Sequence, residues 1–365
     1  MSDLLKKAIA KRTVPDAEDF DLTPASSEAD ADPSERPKVN VSDGFSPLDS
    51  SKVLPLLRNS KSGHPIYFVP GQRDLVFLCV HGAGLSGSSF APLVEALAGK
   101  FGLATFDLPG HGRSEIFPRG CETPDFSVEF LLAATLEVLE EIHASFPRHS
   151  IVLVGHSLGG SLAARLYAGL NSENEPKLPE LRRFCRGLVV IETVEGTAVE
   201  ALPEMSKYLS HIPKSFDSPS QAIKFVFDTQ QVRNRRSARL STPDQLVSEN
   251  GKTFWRTELR LTEKFWPSWF EGLSKLFIGT PTPKTLILAD AERMDKELMI
   301  AQMQGKFKLV TFKGKVGHSV HEDDPLGTAA ELLKFIEDFR VAVGIEQMDE
   351  ADKKSSEASG SFFSS

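Results

Sequence analysis

Two patterns of apolar and polar positions recur along the chain. Continuous apolar, β-branched runs stand at 75–80 (LVFLCV), 103–107 (LATFD), 151–155 (IVLVG), 187–192 (GLVVIE), 284–289 (KTLILA) and 307–312 (FKLVTF). Runs that are apolar throughout, rather than alternating, predict parallel strands buried on both faces. Between the second and third, Val128, Leu131, Leu132, Thr135, Leu139, Ile142 and Phe146 recur at three- and four-residue steps, one face of an amphipathic helix. This alternation predicts an α/β fold: a mostly parallel central sheet with helices on both faces. About ninety residues separate the fourth and fifth runs. That is too much for one crossover and predicts an inserted cap or lid at about 197–280.

The ends of the chain lack either pattern. From Val14 to Glu35 there are eight acidic residues, three prolines and no Lys or Arg. Residues 1–62 are therefore expected to be a disordered extension, 63–345 the folded domain, and 346–365 a second disordered tail. With 42 basic and 50 acidic residues the net charge is −8, an unpromising balance for gripping nucleic-acid phosphates. Cys79, Cys121 and Cys185 fit neither a disulfide framework nor a zinc pattern, which suits a reducing compartment. No apolar stretch reaches membrane-span length, and the N-terminus lacks the apolar block of a secretory signal. An intracellular protein, in cytoplasm or nucleus, is the expectation.

Chemistry enters at Gly155-His156-Ser157-Leu158-Gly159, a G-x-S-x-G string between the third run and an Ala/Leu-rich helical segment. Strand, sharp turn and helix form the setting of a nucleophile elbow, which lifts a serine hydroxyl above the sheet edge. Serine needs a base, and a histidine must follow it in the chain. His318, after Gly317 and just beyond the last run, meets that requirement better than its neighbour His321. The carboxylate that holds the imidazole is open between Glu192, which ends GLVVIE, and Asp290, Glu292 or Asp295 after KTLILA. Two backbone N–H groups would hold a tetrahedral oxyanion: that of Leu158, and that of Ala83 in His81-Gly82-Ala83-Gly84. One competing pattern exists. Gly82-Ala83-Gly84-Leu85-Ser86-Gly87 spells G-x-G-x-x-G after a strand, with Asp107 twenty residues on, the fingerprint of a dinucleotide site. That reading leaves the loops at Ser157 and His318 unexplained, whereas acyl transfer uses them all.

Five longer strings narrow the picture: IETVEGTA (191–198), QQVRN (230–234) with SAR (237–239), FWRTELRLTEKFWPSWFEGLSKLF (254–277), MQGKFK (303–308) and GHSVHED (317–323). Together, from about Pro65 to Phe339, the chain resembles the protein phosphatase methylesterase family of α/β-hydrolase serine esterases. The resemblance implies an esterase that removes the methyl ester from the C-terminal leucine of the type 2A protein phosphatase catalytic subunit. It implies Ser157 as nucleophile, His318 as base and no metal or organic cofactor. It puts Glu192 where the family string I-D-V-V-E-G-T-A has aspartate, and the extra methylene displaces a carboxylate by roughly 1.5 Å. Asp290 and Glu292 stay open as alternatives. Arg233 and Arg239, with Trp255, Trp266 and Trp269, are candidates for contacting the methylated tail or its protein. The other readings are a hydrolase for a different ester, and a catalytically impaired phosphatase-binding protein.

Overall fold

A computed structural model of the chain describes residues 44–343, apart from 118, 171–177, 313 and 315. The six apolar runs form β3 (Arg73–Val80), β4 (Phe101–Phe106), β5 (Ser150–His156), β6 (Cys185–Ile191), β9 (Lys284–Leu288) and β10 (Lys308–Thr311). With β1 (Leu56–Asn59) and β2 (Pro65–Val69) they make an eight-stranded sheet in the order β1-β2-β4-β3-β5-β6-β9-β10. All pairings are parallel except β1 with β2 and β2 with β4. The unbroken apolar character has a direct cause. In β3, Val76, Leu78 and Val80 enter one core with Leu131, Leu139 and Ile142, while Leu75, Phe77 and Cys79 enter another with Leu93, Leu332 and Phe335. Each fully buried side chain of this size contributes roughly 1.5–3 kcal/mol.

Register then positions the chemistry. Val80 lies opposite Gly155, His156 opposite Ile191, and Ile191 opposite Ile287. Four parallel strands thus end level, and the residues just beyond them (His81, Ser157, Glu192 and Ala289) share the carboxyl edge of the sheet. This is the edge at which open α/β sheets bind ligands.

Between β6 and β9 lie the helices Glu195–His211, Pro219–Asp228, Arg235–Ser241, Trp266–Phe270 and Leu273–Gly279. The hairpin of β7 (Leu246–Glu249) and β8 (Lys252–Trp255) is among them. Its two-residue turn, Asn250-Gly251, has positive φ at both positions (51° and 76°), which Asn and Gly tolerate best. Among the described residues no helix is long and apolar enough to cross a membrane.

The expectation of disorder over 1–62 fails for residues 44–62; residues 1–43, like the predicted tail at 346–365, lie outside the described part. Asp49 caps a short 3-10 turn through Ser51 N, Leu54 is buried, and Phe45 packs 5.5 Å from the Phe227 ring. All four residues of β1 are exposed, so no apolar pattern announces the strand. Main-chain pairing with β2 holds it.

Candidate active site

The elbow is built from absent side chains. A Cβ on Gly155 would strike the main chain of Gly159, one on Gly159 the carbonyls of Val80 and His81, and one on Gly160 the Thr193 hydroxyl. That close approach lets the chain turn from β5 into the helix Leu158–Gly169 with Ser157 at φ 52° and ψ −122°. Such a conformation costs a non-glycine residue of order 1–3 kcal/mol and persists only where its surroundings enforce it. Here Ser157 N donates to Ile191 O (3.0 Å), and Thr193 Oγ1 donates to the Ser157 carbonyl (2.8 Å). From 151 to 164 every residue is buried except Ser157.

Glu192 follows β6 with a second positive φ, 53°. Its N–H donates to Ile287 O (2.8 Å). The carboxylate is wholly buried and takes three donors. Ala289 N binds Oε1, while Arg293 Nη1 and His318 Nδ1, the latter at 3.3 Å, both face Oε2. The alternatives are elsewhere: Asp290 and Glu292 are exposed, and Asp290 Oδ1 accepts the Glu292 N–H (3.0 Å) as a turn cap.

His318 is tied down through its backbone, its imidazole staying half exposed. His156 Nε2 donates to the His318 carbonyl (2.9 Å), joining the residue before Ser157 to the histidine loop. Asp323 fixes the loop's other side. Its Oδ2 accepts Gly317 N (2.6 Å) and its Oδ1 accepts Arg233 N (2.6 Å). Buried histidines crowd beneath. The His156 ring lies 4.8 Å from that of His318 and 4.6 Å from that of His321. Burial pushes His156 and His321 well below the ordinary histidine range, and His81 and His111 to about 3 and about 4. These rings are neutral near pH 7. Burial pushes Glu322, whose Oε1 accepts Ser241 Oγ (2.5 Å), up to about 8.

The loop after β3 backs onto the elbow: a Cβ on Gly82 would stand 3.0 Å from His156 Nδ1 and 3.1 Å from Ser157 Cβ. Gly82, next to Ala83 in the chain, therefore flanks the serine. Leu158 opens its helix, where an N–H has no partner one turn back. Asp107 is consumed by structure, accepting Gly87 N (2.7 Å), Arg113 N (2.8 Å) and Tyr67 Oη (2.7 Å). No dinucleotide ribose can use it. Among the described residues, no three His, Cys, Asp or Glu side chains gather as the ligands of a metal ion would.

A model of the alpha/beta hydrolase family matches residues 77–331. Protein phosphatase methylesterase 1 of Schizosaccharomyces pombe is 40% identical over 273 residues, covering 73% of this chain and 76% of that protein. The chain belongs to the protein phosphatase methylesterase family of α/β hydrolases. A relative of the same name from Candida albicans is 38% identical over 74% of this chain and 71% of its own. Another, from Cryptococcus neoformans, is 38% identical over 71% of this chain, which spans 63% of that relative's length. Among solved structures, E-2-(acetamidomethylene)succinate hydrolase aligns with a TM-score of 0.61 at 17% identity, over 77% of this chain and 98% of its own. An esterase from Mycobacterium tuberculosis gives 0.58 at 19% identity, over 83% of this chain and the whole of its own. These two show the fold.

Within this methylesterase-family fold, the residues put forward for partner contact are mostly spent on structure. Trp266 and Trp269 are 4% and 1% exposed, with indole N–H groups donating to Thr262 Oγ1 (2.7 Å) and Phe126 O (2.8 Å). Their length of apolar ring fills the core between the insertion and the sheet, so they are not surface contacts. Trp255 is half-buried and donates to Pro213 O (3.2 Å). Arg239 Nε donates to Ser46 O (2.8 Å), holding the segment before β1, and Arg233 stands against Gly317. The sequence reading missed Arg293, His156 and Thr193. Only His156 carried a signal, as the residue inside G-x-S-x-G.

Proposed function

We propose that this chain is a serine carboxylesterase that removes the methyl ester from the C-terminal leucine of the type 2A protein phosphatase catalytic subunit. The observation that carries the reading is the grouping of Ser157, Glu192 and His318 at one sheet edge in a chain of the methylesterase family. In this reading Glu192 keeps the His318 proton on Nδ1 and leaves Nε2 basic. His318 deprotonates Ser157, whose oxygen attacks the ester carbonyl. The N–H groups of Leu158 and Ala83 hold the oxyanion. Methanol leaves with the proton from His318, and water then hydrolyses the acyl-enzyme to free the carboxylate. The steps call on no metal or organic cofactor.

The hydrolase unit, expected at 63–345, also takes in the residues from 44 that lead into β1 of its sheet, and about 197–280 act as its cap. The partner is the methylated phosphatase tail, met in the cytoplasm or nucleus. The test is to incubate methylated phosphatase catalytic subunit with the protein and follow loss of the ester. Turnover by the parent, reduced about 10⁶-fold in Ser157→Ala, supports the reading. Binding without turnover, or turnover of small esters alone, would replace it with one of the other two.

A further inference from the structure

We infer that Arg293 is a positioning residue of the Ser157–Glu192–His318 site, clamping the Glu192 carboxylate and sharing with His318 the oxygen that faces it. The inference rests on the esterase reading above and names a part of that site which the sequence did not show.

Three observations carry it. First, the Glu192 carboxylate is wholly buried, and Arg293 and His318 are its ion-pair partners among the described residues. A buried carboxylate without a partner costs several kcal/mol. His318 is neutral for most of a catalytic cycle and supplies no charge then; Arg293 supplies one throughout. Second, the contacts divide between the two oxygens. Oε1 is held by Ala289 N, and Oε2 is held by Arg293 while His318 Nδ1 stands 3.3 Å away, at the long end for a hydrogen bond. Third, Arg293 is itself placed. It ends the 3-10 turn Ala291–Arg293, which Asp290 caps by accepting Glu292 N, and its side chain is 19% exposed. Asp290, a candidate acid from sequence, thus builds the turn that carries the clamp.

A glutamate has one more rotatable bond than an aspartate, and each such bond must be fixed for the carboxylate to meet the imidazole. A guanidinium and a main-chain N–H, one on each oxygen, fix it. The same cation has an electrostatic consequence. When His318 is protonated, two positive groups face one oxygen, so Arg293 weakens the imidazolium and keeps His318 available as a base near neutral pH. His156 and His321 are buried and neutral, and Asp323 and Arg233, packed beside Gly317, carry opposite charges.

The experiment is an NMR titration of the His318 ring in the full chain, parent against Arg293→Gln and Arg293→Lys, with pH profiles of kcat/KM measured alongside. The expected result is a His318 midpoint raised by roughly one pH unit in Arg293→Gln and close to the parent's in Arg293→Lys. The acid limb of the rate profile moves with it, and kcat falls roughly ten- to a hundredfold. An unmoved midpoint in a folded Arg293→Gln overturns the inference, as does a midpoint in Arg293→Lys equal to that of Arg293→Gln. Absence of ester turnover by the parent would strike the esterase reading instead, and the ring titration would still decide the role of Arg293.

Discussion

Ser157 and Glu192 follow neighbouring parallel strands, and both have φ close to +52°. They are held there by opposite means. Around Ser157 the constraint is steric: glycines at 155, 159 and 160 let main chain touch main chain, and nothing charged is involved. Around Glu192 the constraint is electrostatic: a carboxylate without solvent is fixed by Ala289 N, Arg293 and His318, which lie about a hundred residues and more further on. A turn made of missing side chains is rigid before any charge forms on it. A carboxylate made fast by cations responds to every change in their protonation. The proposed nucleophile and the proposed acid therefore differ in what disturbs them.

The largest effect should come from the steric side. Gly159→Ala drives a methyl into the Val80 carbonyl and should cost about 4 kcal/mol or more, lowering Tm by about 10 °C. Gly169→Ala, with open space around it, should stay within about 1 kcal/mol. Calorimetry of the pair reads the contrast, and equal losses would break it.

Acid pH sharpens it next. His81, His111, His156 and His321 keep folded-state values far below the ordinary 6.5, so below about 6.5 the unfolded chain binds protons that the folded chain refuses. Stability from this source is complete above 6.5 and is lost as pH falls. Glu322 at about 8 and Asp107 at about 6 act in reverse, because folding holds on them a proton that the unfolded chain releases. Four groups against two leave stability falling with pH between 6 and 5, by roughly 3 kcal/mol per pH unit at most. The Tm should fall over that interval; a flat or rising Tm would contradict the neutral histidine cluster.

What was legible in the sequence follows the same division. Five strands were legible because burial on both faces makes them largely apolar, and β10, a partly exposed edge strand rather than one buried on both faces, was legible from its apolar Leu309 and Val310; β1 was not, because its four side chains are exposed. Ser157 and His318 could be put forward as nucleophile and base because a turn and a loop have local spelling. The carboxylate was narrowed to Glu192 over Asp290 and Glu292 only by resemblance, since strand ends do not say which acid points inward. Arg293 was invisible, being paired to Glu192 across a gap that only the register of β6 and β9 closes. Sequence alone did not separate Trp266 and Trp269, which are buried, from Trp255, which is half-buried, because an aromatic-rich insertion reads alike whether its rings face a ligand or a core.

The most direct test of the account is kcat on a methylated C-terminal phosphatase peptide for Glu192→Gln beside Glu292→Gln. Loss of the acid in a serine–histidine site leaves the wrong imidazole tautomer, so Glu192→Gln should fall about 10³–10⁴-fold. Glu292→Gln should stay within about twofold of the parent, its carboxylate being exposed and unconnected to His318. The reverse order would contradict the assignment of Glu192 and the account built on it.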